Sequence, residues 1–92
     1  MGLRHGLKLN VLAMRSARLQ GSNLDELKKK IGQRIVELRT KKGWSQSDLA
    51  RACGKDRQAI EKLENGKVNP TLYSLLEISK ALGVSLPNLV KF

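Results

Sequence analysis

Residues 45–66 read SQSDLARACGKDRQAIEKLENG, and this stretch decides the fold. Ser45 followed three residues later by Asp48 forms a capping box, with the hydroxyl accepting a backbone N–H and the acid favouring the positive end of a helix. Leu49, Ala50 and Cys53 then fall on one face at helical spacing, which predicts a helix of about two and a half turns. Gly54 offers the left-handed backbone that stops it. Asp56 is placed to cap a second helix over 56–65, which turns Ile60 and Leu63 inward and ends at Asn65-Gly66. The side that Ile60 and Leu63 leave free carries Arg57, Gln58, Glu61 and Lys62.

Outward from this stretch, Ser22 with Asp25, or Asn23 with Glu26, marks the start of a long first helix. Leu24, Leu27, Ile31, Ile35 and Leu38 advance by three or four residues along it as one apolar stripe, and Gly43 closes it. Trp44 is expected to pack at the junction with the next helix, the alternative being a ring that stacks on a base. Beyond the loop 67–70, Thr71 caps a fourth helix whose Leu72, Leu75, Leu76 and Leu82 are spaced for burial, and Gly83 stops it. Ser85 caps a last short helix, with Pro87 tolerated in its first turn. The expectation is an all-α domain of five helices over residues 23–92.

Residues 1–22 form a basic arm with Arg4, Lys8, Arg15 and Arg18 and no acid. Its apolar spacing fits a helix and a strand equally. It is read as disordered or not native to the protein, with Met14 as an alternative start and phosphate or minor-groove contact as the sharper possibility.

The 92 residues allow one small core, and a single Trp, Tyr and Phe leave that core to Leu, Ile, Val and Ala. Eighteen Lys and Arg against eight Asp and Glu give a formal net charge of +10, which favours an anionic partner such as nucleic acid. One cysteine excludes an internal disulfide and suits a reducing cytoplasm. No apolar run approaches the ~20 residues that span a bilayer, so no membrane partner is expected. Catalysis finds no support: the single histidine, His5, lies in the arm, and Cys53 has core spacing with no histidine near it. No phosphate loop, paired-carboxylate signature or metal-ligand cluster occurs, so neither a metal nor a cofactor is expected.

Two short helices joined by a glycine-containing turn make a helix-turn-helix unit, and an exposed Arg, Gln and Lys on the second suit the major groove of DNA. The segment resembles the phage-repressor-like helix-turn-helix family of lambda and 434 repressor and Cro type. The resemblance rests on Trp44-Ser45-Gln46, Leu49-Ala50, Gly54, Gln58, Ile60-Glu61, Leu63-Glu64-Asn65-Gly66 and Pro70, and it covers about two thirds of the chain, 31–90. It implies a lambda-repressor-like DNA-binding domain and a sequence-specific transcriptional regulator in the bacterial or phage cytoplasm, most simply a repressor on a pseudo-palindromic operator.

From the resemblance, Gln58 is expected to read adenine, and Gln46 to hold a phosphate and orient the recognition helix. Arg57 suits guanine or a phosphate, Lys62 a base or the backbone, and Ala59 a thymine methyl. Ser45, Lys55, Asn65, Lys67, Asn69 and Thr71 stand at or beside expected backbone contacts. Lys55, Asp56 and Ala59 depart from the family pattern, so base preference cannot be copied from a relative. Arg39 and Glu64 look like the family's structural ion pair. A homodimer is expected to use Leu86, Leu89, Val90 and Phe92, unless these only close the domain's own core. The alternatives of the same fold are a restriction-modification controller protein and an antitoxin with a toxin partner. A protein-interaction adaptor that binds no DNA is the rival of a different class.

Overall fold

The computed structural model describes residues 22–92, and the arm read over 1–22 lies outside them but for Ser22. Five helices follow one another: α1 (Ser22–Lys41), α2 (Gln46–Ala52), α3 (Arg57–Glu64), α4 (Leu72–Leu82) and α5 (Leu86–Leu89). No strand occurs among the described residues.

The start signals of α2, α4 and α5 act where the sequence places them, whereas Ser22 and Asn23, expected as caps, lie within α1. Ser45 Oγ accepts the Asp48 N–H while Asp48 accepts the Ser45 N–H, so both halves of the capping box are made. Thr71 and Ser85 accept from Ser74 N and Asn88 N at the heads of α4 and α5. Gly54, with φ +67, breaks off α2, and the Lys55 N–H returns 2.8 Å to the Ala50 carbonyl. Asp56 is a further exception. It occupies the N-cap of α3 with extended backbone, but its carboxylate makes no cap hydrogen bond.

The core takes Ile31, Ile35 and Leu38 from α1, Leu49 and Ala50 from α2, and Ile60 and Leu63 from α3. Leu75, Ile78 and Leu82 of α4 and Leu89 of α5 complete it. Ile35, Leu49, Ile60, Ile78 and Leu89 lose essentially all contact with water, each contributing roughly 2 kcal/mol by that burial. Trp44 packs on this core from the α1–α2 junction, with the Lys42 ammonium 4.8 Å above its ring.

Three expectations of burial are corrected. Leu24 and Leu27 lie on the α1 stripe but are exposed, because no described element covers the first two turns. Leu72 is 71% exposed, since burial on α4 begins one turn later at Leu75. Leu76 is half-buried, while Ile78 and Ser79 fill the inward face.

The approach of α1 to the end of α3 is unusually close. A Cβ on Gly32 would stand 2.3 Å from the Glu64 carbonyl oxygen and 2.6 Å from that of Leu63. At Gly66, with φ +69, a Cβ would stand 2.9 Å from Lys29 Cγ and 3.1 Å from Lys29 Cα. A glycine inside a helix costs about 1 kcal/mol of propensity, and here it is what lets two backbones touch. Both obstacles at Gly32 are backbone and cannot rotate away. Gly32→Ala is therefore expected to destabilise the domain by about 3 kcal/mol and lower Tm by roughly 15 °C in a far-UV melt. Gln33→Ala, beside it and exposed, should stay within about 0.5 kcal/mol of the parent.

Candidate nucleic-acid interface

α3 is amphipathic in a way that fixes which side it shows. Ile60, Leu63 and Glu64 are buried, Ala59 and Glu61 are half-buried, and Arg57, Gln58 and Lys62 are exposed together. The helix stands at one wall of an open groove of about 360 Å³. Lys55, Asp56, Gln58, Ala59 and Lys62 line this wall, and Val68, Asn69, Pro70, Thr71 and Ser74 line the other.

A polar network anchors α3 from behind. Arg39 of α1 donates from Nε to Glu64 Oε2 at 2.7 Å and from Nη2 to Oε1 at 3.0 Å. Its Nη1 donates to the Trp44 carbonyl at 2.8 Å. Gln46, the first residue of α2, donates from Nε2 to Glu64 Oε1 at 2.9 Å. The other end of that amide, Oε1, accepts from Arg57 Nη1 at 3.3 Å, and the same nitrogen lies 3.4 Å from Glu61 Oε2. Among the described residues no buried side-chain polar atom lacks a partner. The chain Arg39–Glu64–Gln46–Arg57–Glu61 thus runs from the domain's interior to its exposed helix face.

The residues expected to touch DNA divide into three groups. Gln58 and Lys62 are exposed and make no side-chain hydrogen bond among the described residues, and Ala59 lies between them. Arg57 is exposed but tethered through Nη1, and Gln46 is half-buried with both ends of its amide engaged. Ser45, Asn65, Lys67, Asn69 and Thr71 are exposed at helix ends and in the loop that follows α3. Lys55, also expected at the backbone, pairs its ammonium with Glu77 of α4 at 3.0 Å and is largely shielded. The pair ties the turn to α4.

The expected dimer residues also separate. Leu89 is fully buried in the protomer's own core and has no surface to offer, so its place in that set is corrected. Leu86 and Val90 are half-buried against the core, and Phe92 is 59% exposed. The tail is fixed by Arg34 of α1. Its Nε and Nη2 donate to the Asn88 carbonyl at 3.2 and 3.1 Å, and Nη1 pairs with Glu37.

Among the described residues, Asp48 and Cys53 titrate away from their ordinary values. Hydrogen bonds from the Ser45 backbone and hydroxyl hold the Asp48 carboxyl below its ordinary range, with Arg51 adding to the effect. The cap's contribution is thus present at neutral pH and is lost only as pH falls through that lowered value. Burial pushes the Cys53 thiol up, and its S–H donates to the Leu49 carbonyl at 3.1 Å. This is a packed thiol, not an activated nucleophile. Among the described residues no cluster of His, Cys, Asp and Glu is arranged to hold a metal, and no helix is long and apolar enough to cross a membrane.

The helix-turn-helix family HTH_3 matches residues 35–89. The chain belongs to that family. It is similar to an uncharacterised HTH-type transcriptional regulator of Sinorhizobium fredii, 37% identical over 65 residues that cover 71% of this chain and 84% of the relative. An SPbeta prophage-derived HTH-type regulator of Bacillus subtilis is 43% identical over 60 residues, covering 65% of this chain and 56% of that one. Among solved structures, a hypothetical transcription factor from Neisseria superposes with a TM-score of 0.69 at 34% identity, covering 71% of this chain and 75% of the other. The restriction-modification controller protein C.AhdI from Aeromonas hydrophila gives 0.66 at 40% identity, covering 67% of this chain and 94% of the controller.

Glu64 joins α1, α2 and α3 through one shielded carboxylate. Replacing it with alanine leaves the Arg39 guanidinium, 13% exposed, without its counter-charge. Glu64→Ala is expected to cost about 3 kcal/mol in urea unfolding, and the loss should persist at high salt because the pair is shielded.

Proposed function

We propose that this DNA-binding transcription regulator lays α3 in the major groove, reading bases with Arg57, Gln58 and Lys62. Ala59, between Gln58 and Lys62, meets a thymine methyl on this reading. Ser45, Gln46, Asn65, Lys67, Asn69 and Thr71 hold the flanking phosphates. The observation that carries this reading is the division of α3 into a buried side, Ile60, Leu63 and Glu64, and an exposed side on which Arg57, Gln58 and Lys62 stand together. Gln makes a bidentate amide contact with adenine, and Arg makes one with guanine. Phosphate contacts add affinity without sequence information.

One such helix covers only a few base pairs, so useful specificity requires a second copy. A twofold dimer would set two α3 helices about 34 Å apart on a pseudo-palindrome, blocking a promoter when that site overlaps it. With Leu89 committed to the core, Phe92 and the outer edges of Leu86 and Val90 are the apolar surface left for this contact. The extent of the match to C.AhdI favours a restriction-modification controller as the second reading, because nearly the whole of that small protein is spanned.

Selection of bound duplexes from a random pool tests both the reading and the dimer, since a dimer returns two half-sites one helical turn apart. Gln58→Ala should lose about 2 kcal/mol of discrimination at one adenine per half-site while leaving the other positions intact. Lys67→Ala should weaken binding to all duplexes alike and reduce the salt slope by about one. A salt-independent interaction with no enriched site would instead favour a protein-interaction adaptor.

A further inference from the structure

Arg57 is held in a pattern that two other arginines of this chain repeat. In Arg39, Nη1 is tied to a neighbouring carbonyl while the Nε/Nη2 edge clasps both oxygens of Glu64. In Arg34, Nη1 is tied to Glu37 while Nε and Nη2 together take the Asn88 carbonyl. In each case one corner positions the plane, and the opposite edge makes the bidentate contact. Arg57 has the first half of this arrangement. Its Nη1 lies 3.3 Å from Gln46 Oε1 and 3.4 Å from Glu61 Oε2. Its Nε and Nη2 have no acceptor among the described residues, on a side chain that is 49% exposed.

We propose that Glu61 is a positioning residue: with Gln46 it pins Nη1 so that the Nε/Nη2 edge of Arg57 is presented outward for guanine O6 and N7. The proposal rests on the reading of α3 as the DNA-facing helix, and it assigns the role of Arg57 within that reading. Glu61 itself touches no base. A guanidinium edge pairs two acceptors in one plane, which matches guanine O6 and N7. Swinging Arg57 to the backbone breaks the contacts at Nη1, whereas reading a guanine keeps them. The tether therefore penalises the sequence-independent pose and leaves the sequence-reading pose untouched, the differential that specificity requires. A tether broken in both poses would lower both affinities and discriminate nothing.

The local charge is consistent with this role. Asp56–Glu64 carries three acids against two bases in a chain whose net charge is +10. Of these acids Glu64 is neutralised by Arg39, which leaves Glu61 beside Arg57 and Lys62 on the open side of α3.

The test is duplex selection with the full chain, followed by affinity measurements on the selected duplex and a shuffled duplex of equal length. Wild type is expected to return a guanine whose preference disappears in Arg57→Ala. At that position Glu61→Ala should lower the preference about fivefold. It should also raise affinity for the shuffled duplex about threefold and steepen that duplex's salt slope by about one. Glu61→Gln keeps an acceptor on the same stem and should restore most of the preference. In an Arg57→Ala background, Glu61→Ala should leave the preference unmoved. A merely structural Glu61 would shift Tm and leave the selected-to-shuffled ratio alone, and that result overturns the proposal. So does an equal loss in the Arg57→Ala background. If wild type enriches duplexes in which Glu61 has no effect, the positioning role alone falls. If wild type enriches no duplex, the base-reading role of α3 falls and takes this inference with it.

Discussion

A carboxylate that is almost removed from water must be surrounded by donors, and Glu64 satisfies this with three: Arg39 Nε, Arg39 Nη2 and Gln46 Nε2. Desolvating such a charge costs several kcal/mol and is offset only when the geometry is near ideal. That requirement propagates through the fold. Arg39 reaches Glu64 only because α1 lies against the C-terminal end of α3, and α1 lies there because Gly32 has no side chain to meet the Leu63 and Glu64 carbonyls. Gly66 then turns the chain out of α3 directly over Lys29, where any Cβ would again collide. The apolar contacts of Ile60 and Leu63 leave a helix free to slide or roll by small amounts. A bidentate ion pair tied to a close backbone contact removes that freedom, so the angle at which α3 projects is set at its far end.

The fold was legible because its punctuation is chemical. Ser45-Asp48, Gly54, Thr71, Gly83 and Ser85 each solve a helix-end problem with a side chain or a missing one, and the structure uses all of them. What could not be read was extent. The stripe on α1 continues through Leu24 and Leu27, and that on α4 reaches back to Leu72, yet burial stops a turn or two short in both cases. Periodicity reports which face is apolar, whereas burial also needs a neighbour long enough to cover it. The ion pair of Arg39 and Glu64 came from family resemblance and not from spacing, since the two residues lie 25 apart. Gly32 stands out as a glycine inside a strongly patterned helix, but the sequence does not say which backbone comes close.

Within the interface the side chains were legible by type but not by state. Lys55 and Asp56 illustrate this. As letters they are a cation fit for phosphate and an acid fit for a helix cap; in the structure Lys55 pairs with Glu77, and the Asp56 carboxylate makes no cap bond. The Lys55 pairing depends on where α4 passes the turn, which is tertiary information. Arg34 shows the converse, a residue that looks like surface charge and serves as the clasp for α5 through the Asn88 carbonyl.

The charge distribution ties these points together. A net charge of +10 on 92 residues would draw the protein to any duplex, and affinity of that kind carries no information. Discrimination therefore needs the helix at the bases to depend less on charge than its surroundings do. α3 meets that need by mixing signs, and it holds its own arginine by one corner through Gln46 and Glu61. The flanking Lys67 and Asn69 and the head of α4 at Thr71 are exposed beside it. On the proposed reading, the attraction that brings the domain to DNA and the geometry that selects a sequence belong to different residues. The network behind Glu64 carries the rigidity of the core out to α3.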